Sequence, residues 1–377
     1  MKLFLIFPII LISLISYSQT SKTIDHGGIT REYIEYVPAI YDSSTVVPVI
    51  FCLHGLGDNM SNFSNIGMHD VADTANIIVI TPQALMATVY GYDVGTAWNS
   101  GASTSGIVLN ENIDDIGLFM AILDTTMSLY NIDTTCIYAT GFSLGGFMCH
   151  RIAGDLNSTF TAVASVSGTM GNSLVCTPDN AIPLLQFHGT ADTQVSYTGN
   201  TYGNDVEEAV EYWRIFNNCD SIPVIDSIPD SAADGKSVIH YHYQNGDNNT
   251  DVEFFKVIGG EHDWLWTPTN DIDYTKEIWK FLSRYPKNNS SINDPIKNQD
   301  ALMIFPNPSD EYLQVKISNV SGSYKIQIYN DLGVEIESIT TETNMLKIPT
   351  SHLKTGIYFI KVNCNNNIYS KKFLILH

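Results

Sequence analysis

The chain has 377 residues, 44% hydrophobic and 11% aromatic, a composition that fits one large globular domain and a smaller one. Acidic residues outnumber basic ones 40 to 19, the formal net charge is −21, and no Lys or Arg lies between Arg31 and Arg151. A phosphate backbone would be repelled by such a chain, so nucleic acid is not an expected partner.

The chain opens on Met1-Lys2, an apolar run from Leu3 to Ile15, and Ser16-Tyr17-Ser18-Gln19. This is the pattern of a secretory signal over residues 1–18, cut near Ser18/Gln19. The run falls short of the ~20 apolar residues that a membrane-spanning helix needs, and no later segment is apolar enough, so no span is expected. The mature chain should be exported.

From residue 31 onward, short β-rich runs alternate with helix-like segments. The runs are Val47–Leu53, Ile77–Thr81, Cys136–Thr140, Ala162–Val166, Ile182–Phe187 and Phe254–Ile258. The segments Asn112–Tyr130, Leu144–Leu156, Asp205–Asn217 and Tyr274–Tyr285 carry apolar residues at helical spacing. This alternation predicts an α/β fold with a mainly parallel sheet flanked by helices, over residues 19–287. Asp114 and Asp115 fall in the first turn of the first of these helices, where capping is the expected role. Residues 288–300 have the Asn/Ser/Pro composition of a linker. Beyond it, alternating runs at Tyr312–Ile317, Tyr324–Tyr329, Val334–Ile339, Met345–Ile348 and Ile357–Val362 predict a small all-β sandwich over 301–377.

Of the six cysteines, Cys52 and Cys136 sit in apolar strand-like runs and Cys149 in a helix-like one, where a free thiol is as plausible as a bridge. Cys176 and Cys219 flank a loop-rich stretch and are the best disulfide candidates, although sequence alone does not fix the pairing.

The chemistry concentrates at Gly141-Phe142-Ser143-Leu144-Gly145-Gly146, between a strand-like and a helix-like segment. That is the context of a nucleophile elbow, in which small neighbours let a serine occupy a sharp turn. A serine hydroxyl needs a base to take its proton and a carboxylate to orient that base, in the chain order Ser, acid, His for this fold. Asp192 follows the run Ile182–Phe187 and His262 follows Phe254–Ile258, both in that order. Taken singly, an Asp in a turn or a His in a loop carries no signal; the ordered set does. The first oxyanion N–H falls to Leu144, and the loop Leu53-His54-Gly55-Leu56-Gly57 offers Leu56 as the second. His54 precedes the serine and His188 sits in a glycine turn, so both are read as structural. Trp98, Trp264 and Trp266 lie beside site loops, and Trp98 and Trp264 are taken as candidate substrate contacts, with core packing the alternative for each. His240, His242, Asp247 and Asp251 have no recognised ligand spacing, so no catalytic metal and no cofactor are expected.

Positions from about 30 to 285 resemble the polyhydroxybutyrate depolymerase-like and feruloyl esterase-like branch of secreted α/β-hydrolases. The matching stretches are Leu53–Asn59, Ile113–Asp124, Gly141–Gly146, His188–Tyr197 and Gly259–Trp264. The resemblance implies Ser143 as nucleophile, Asp192 as acid and His262 as base. This chain departs from it at Glu261, where the family has Gly, and at Leu265, where Pro is frequent. Residues 301–377 are similar to the type A C-terminal sorting domain of the type IX secretion system of Bacteroidetes, through Phe305–Val315, Asp331-Leu332-Gly333, Leu353–Tyr358 and Tyr369–Ile375. This implies the secretion machinery as a partner and a location outside the cell or on its surface.

The expected activity is therefore that of a secreted serine ester hydrolase working through an acyl-enzyme. Its substrates would be feruloyl or acetyl esters of plant polysaccharide, or a short-chain polyester. The rivals are a serine peptidase on the same fold and a secreted binding protein that has lost its chemistry.

Overall fold

The computed structural model describes residues 19–286 and, in the tail, residues 302–305, 309–317, 323–330, 334–364 and 367–375. The expected signal (1–18), the expected linker (288–300) and the Asp331-Leu332-Gly333 turn lie outside the described residues. Two compact units divide at Asn288/Asn289.

In the first unit the elements run β1 (Thr20–His26), β2 (Ile29–Tyr36), β3 (Val47–Leu53), α1 (Met60–Phe63), α2 (Met68–Ala75), β4 (Ile78–Pro82), β5 (Leu85–Val89), β6 (Tyr92–Ala97), β7 (Ser103–Thr104), β8 (Ile107–Val108), α3 (Asp115–Leu129), β9 (Ile132–Phe142), α4 (Leu144–Asp155), β10 (Ala162–Val166), β11 (Leu184–Gly189), α5 (Val206–Phe216), β12 (Val224–Ile228), β13 (Ser237–Tyr243), β14 (Val252–Ile258) and α6 (Tyr274–Leu282). Ten strands form one sheet in the order β1-β2-β4-β3-β9-β10-β11-β14-β13-β12. The inner run from β4 to β14 is parallel, and antiparallel strands close each edge. The mainly parallel sheet is the one the alternation of runs predicted, and it is an α/β-hydrolase sheet, as the resemblance implied.

Strand β3 shows why the inner strands read as unbroken apolar runs. Val49, Phe51 and Leu53 face one layer of core, shared with Phe119, Phe147 and Ile152 of α3 and α4. Ile50 and Cys52 face the other, shared with Ala72 of α2 and Ile278 of α6. A parallel strand covered on both sides has no polar face to show. Helix α3 begins at Asp115, later than its apolar periodicity suggested, because Asp114 is the N-cap and accepts from Gly117 N–H at 2.8 Å.

Cys176 and Cys219 are both free thiols, which overturns the expected bridge. Each sulfur is already packed elsewhere: Cys176 lies against Gly154 of α4, and the Cys219 thiol points at the Thr250 carbonyl at 3.7 Å. Cys52, Cys136 and Cys149 are buried free thiols.

The second unit contains β15 (Leu302–Phe305), β16 (Tyr312–Ile317), β17 (Tyr324–Asn330), β18 (Glu335–Thr341), β19 (Met345–Pro349), β20 (Gly356–Cys364) and β21 (Asn367–Ile375). They form a three-stranded sheet, β15-β16-β19, and a four-stranded one, β18-β17-β20-β21, all antiparallel. Leu313, Val315 and Ile348 of the first meet Ile326, Ile360 and Phe373 of the second in a core of their own.

Candidate active site

Strands β9, β11 and β14 run parallel, so their carboxyl ends open on one edge of the sheet, where open α/β sheets place their sites. Ser143 follows β9, Asp192 lies three residues past β11, and His262 lies four past β14. Hydrogen bonds knit the last two loops together: Thr190 N–H donates to Val257 O at 2.9 Å, Ala191 N–H to Gly260 O at 2.9 Å, and Gly259 N–H to Thr190 Oγ1 at 3.0 Å.

Ser143 has φ 55° and ψ −121°, a region non-glycine residues rarely occupy and that typically costs about 1–3 kcal/mol. The strain is tolerable because the elbow is packed to the backbone. A Cβ on Gly145 would stand 2.0 Å from Leu53 O, and one on Gly141 would stand 2.4 Å from the Gly145 carbonyl. Helix α4 thus lies directly on β3 and β9, with Ser143 at its N-cap.

Asp192 Oδ2 accepts from His262 Nδ1 at 2.7 Å, while its Oδ1 accepts from the amides of Gln194 and Val195, each at 2.9 Å. Burial works to raise the Asp192 pKa, but the His262 hydrogen bond and charge and the Val195 amide outweigh it and hold the carboxyl below its ordinary value. The bond at Nδ1 leaves His262 Nε2 as its remaining nitrogen. His262, Ser143, Leu144 and Leu56 line one cleft of about 610 Å³. Leu144 is the first residue of α4, so its N–H has no acceptor within the helix. Among the described residues no acceptor takes the Leu56 N–H.

His54 is buried and braces the Leu53–Gly57 loop: Nδ1 meets Gly55 O at 2.8 Å, and Nε2 accepts from Ala84 N–H at 3.1 Å. His188 is buried too, with Nε2 at 2.8 Å from Val195 O. Trp98, expected as a substrate contact, is instead fully buried; its indole N–H donates to His54 O at 2.8 Å and it packs on Phe119. Trp264 also lies outside the cleft, donating to Thr275 Oγ1 at 3.1 Å and packing on Phe142. The cleft's apolar walls come largely from residues that carried no motif, among them Leu109, Phe147 and Tyr202, with Val195 from the His188–Tyr197 stretch. Their contribution depends on which loops converge.

Away from the cleft, His242, Asp251 and Glu253 bring donor atoms within 4.8 Å of one another, as do Asp230, Asp234 and Asp271. The first group is already tied up: His242 Nε2 lies 2.9 Å from Asp251 Oδ2, and Arg284 pairs with Glu253.

The sheet order and the chain order of its loops define an α/β-hydrolase. Residues 39–210 match the Phospholipase/Carboxylesterase family, and residues 303–376 match the Secretion system C-terminal sorting domain family. The putative esterase NocK of Nocardia uniformis subsp. tsuyamanensis is 25% identical over 266 residues, 65% of this chain and 74% of the relative. Feruloyl esterase D of Neurospora crassa is 24% identical over 277 residues, covering 70% and 85%. The probable feruloyl esterase C of Aspergillus terreus is 31% identical over 177 residues, 45% of this chain, which spans 57% of that relative's length. The catalytic unit is a carboxylic ester hydrolase. The second unit is a secretion sorting domain that directs the chain by type IX secretion to the cell surface or beyond it. No helix among the described residues is long and apolar enough to cross a membrane.

Proposed function

We propose that Ser143 attacks the ester carbonyl while His262 takes its proton as general base and Asp192 orients and stabilises the imidazolium. The proton then passes from His262 to the departing alcohol, leaving an acyl-enzyme on Ser143. Water, activated by the same histidine, releases the acid. The amides of Leu144 and Leu56 receive the oxyanion at each tetrahedral stage. The observation that carries this reading is the 2.7 Å contact of Asp192 with His262, made beside the cleft that Ser143 and His262 both line.

Residues 1–18 serve as the export signal, 19–287 as the catalytic domain, 288–300 as the linker and 301–377 as the sorting domain. The acyl group is a hydroxycinnamoyl group esterified to plant polysaccharide. In support, the cleft walls combine the aromatic rings of Phe142, Phe147 and Tyr202 with Leu109 and Val195, which suits a flat aromatic acid better than acetate. Comparing kcat/KM for methyl ferulate with that for ethyl acetate and a hydroxybutyrate dimer tests the assignment. Methyl ferulate should lead by at least about tenfold, about 1.4 kcal/mol of transition-state binding. A lead for either aliphatic ester would overturn the aromatic assignment, and faster cleavage of a chromogenic peptide would overturn the esterase.

A further inference from the structure

A second cavity, of about 660 Å³, is lined by residues of α2, α6 and the loop that carries His262 onward. Its volume is in the range of small-molecule sites. Three indoles line it, Trp264, Trp266 and Trp279, and Trp266 is 55% exposed, so its ring is open to a ligand. Phe142 separates this cavity from the catalytic cleft: its ring packs on His262 at 4.7 Å and on Trp264 at 6.2 Å.

The polar groups decide what chemistry fits. Lys276 and Lys280, the cations lining the cavity, are each paired on their own helix, with Asp273 at 2.9 Å and Glu277 at 3.0 Å. An anion therefore finds no uncompensated positive charge among the described lining residues. Asp70, exposed in the first turn of α2, makes no side-chain hydrogen bond or ion pair among the described residues, and its carboxylate is an acceptor only. Flat apolar faces, a rim acceptor and no free cation together suit a ligand that is uncharged, has a C–H face and carries hydroxyl donors. A pyranose ring has all three properties.

We infer that this cavity binds the neutral pyranose units of a glycan, one aromatic layer away from the cleft that takes the ester. The inference deepens the reading of the enzyme as a polysaccharide esterase and rests on that reading. Holding the polymer here raises the local concentration of its esters at Ser143 without adding a contact to the reacting bond.

The test uses the full chain carrying Ser143→Ala, titrated calorimetrically with ester-free xylohexaose and, separately, cellohexaose. Saturable binding of at least one hexasaccharide is expected, weakened roughly tenfold by Trp266→Ala, with a comparable loss for Asp70→Ala. Both positions are exposed, and thermal unfolding of each variant checks that the fold is intact. No binding of either sugar, or binding that survives both substitutions, overturns the inference. Hydrolysis of para-nitrophenyl acetate by the unaltered chain separates the two readings. Turnover without sugar binding overturns the glycan site alone, and sugar binding without turnover overturns the esterase assignment alone.

Discussion

Asp114 and Asp115 are adjacent in sequence and were both expected to cap α3, yet their environments differ sharply. Asp114 is at the surface and caps the helix. Asp115 is fully buried, with Oδ1 2.8 Å from Arg31 Nη2 and Oδ2 accepting from Asn99 N–H at 2.8 Å, so it joins β2, α3 and the loop after β6. Burial raises its pKa, against the opposing pull of Arg31. Removing one partner of a buried pair strands the other charge, so Asp115→Ala should cost about 3–5 kcal/mol. Asp114→Ala should cost about 1 kcal/mol, the usual worth of an N-cap. Urea unfolding of both variants checks the contrast, and equal midpoints would refute it. Sequence could not separate the pair, because Arg31 lies 84 positions away. Ser143, Asp192 and His262 were legible for the opposite reason: each sits in a short loop at the end of a recognisable strand, and strand polarity alone brings those loops to one edge. Trp98 was misread because a tryptophan next to glycine- and serine-rich loops looks the same in sequence whether it faces solvent or core.

Inner strands and long helices were legible because their apolar patterns are strong, whereas the edges were not. The β1–β2 and β12–β13 pairs, the β5–β6 hairpin and helix α2 were not among the expected elements, since these strands are partly exposed and the helix is only 8 residues long. Helix α4 contributes a further property. His150 Nδ1 accepts from the Trp213 indole N–H of α5 at 2.9 Å, and its Nε2 lies 3.0 Å from Gln186 Oε1 of β11. An indole can only donate, so protonating Nδ1 would set two donors face to face. Burial accordingly pushes the His150 pKa down to about 4, and it pushes those of His54 and His188 down as well. A folded pKa below the unfolded value of ~6.5 means the unfolded chain binds the extra proton. The stabilisation is complete above pH ~6.5 and is lost as pH falls toward 4, by roughly 3 kcal/mol for His150 alone. The urea midpoint should therefore drop between pH 7 and 5, before most carboxylates titrate. A midpoint that stays level over that interval would count against the neutral, interlocked histidines.

At the scale of the whole molecule, each unit has, among the described residues, a core and sheets of its own. A chain ending at residue 287 should then fold and keep the full-length kcat/KM on methyl ferulate within about twofold; a tenfold loss would show that the tail supports the site. The division at Asn288/Asn289 falls where the sequence changes composition, over residues 288–300, and passes from mixed to purely alternating runs. The tail's first and last strands, β15 and β21, were not among the expected strands, because their runs adjoin the linker and the chain end. Ser143, as the nucleophile, is the residue on which the proposed chemistry depends. Intact mass after treatment with a fluorophosphonate should show one adduct per chain, mapped to Ser143, absent in Ser143→Ala and formed at least about a hundredfold more slowly in His262→Ala. An adduct that persists in Ser143→Ala, or none on the unaltered chain, would contradict it.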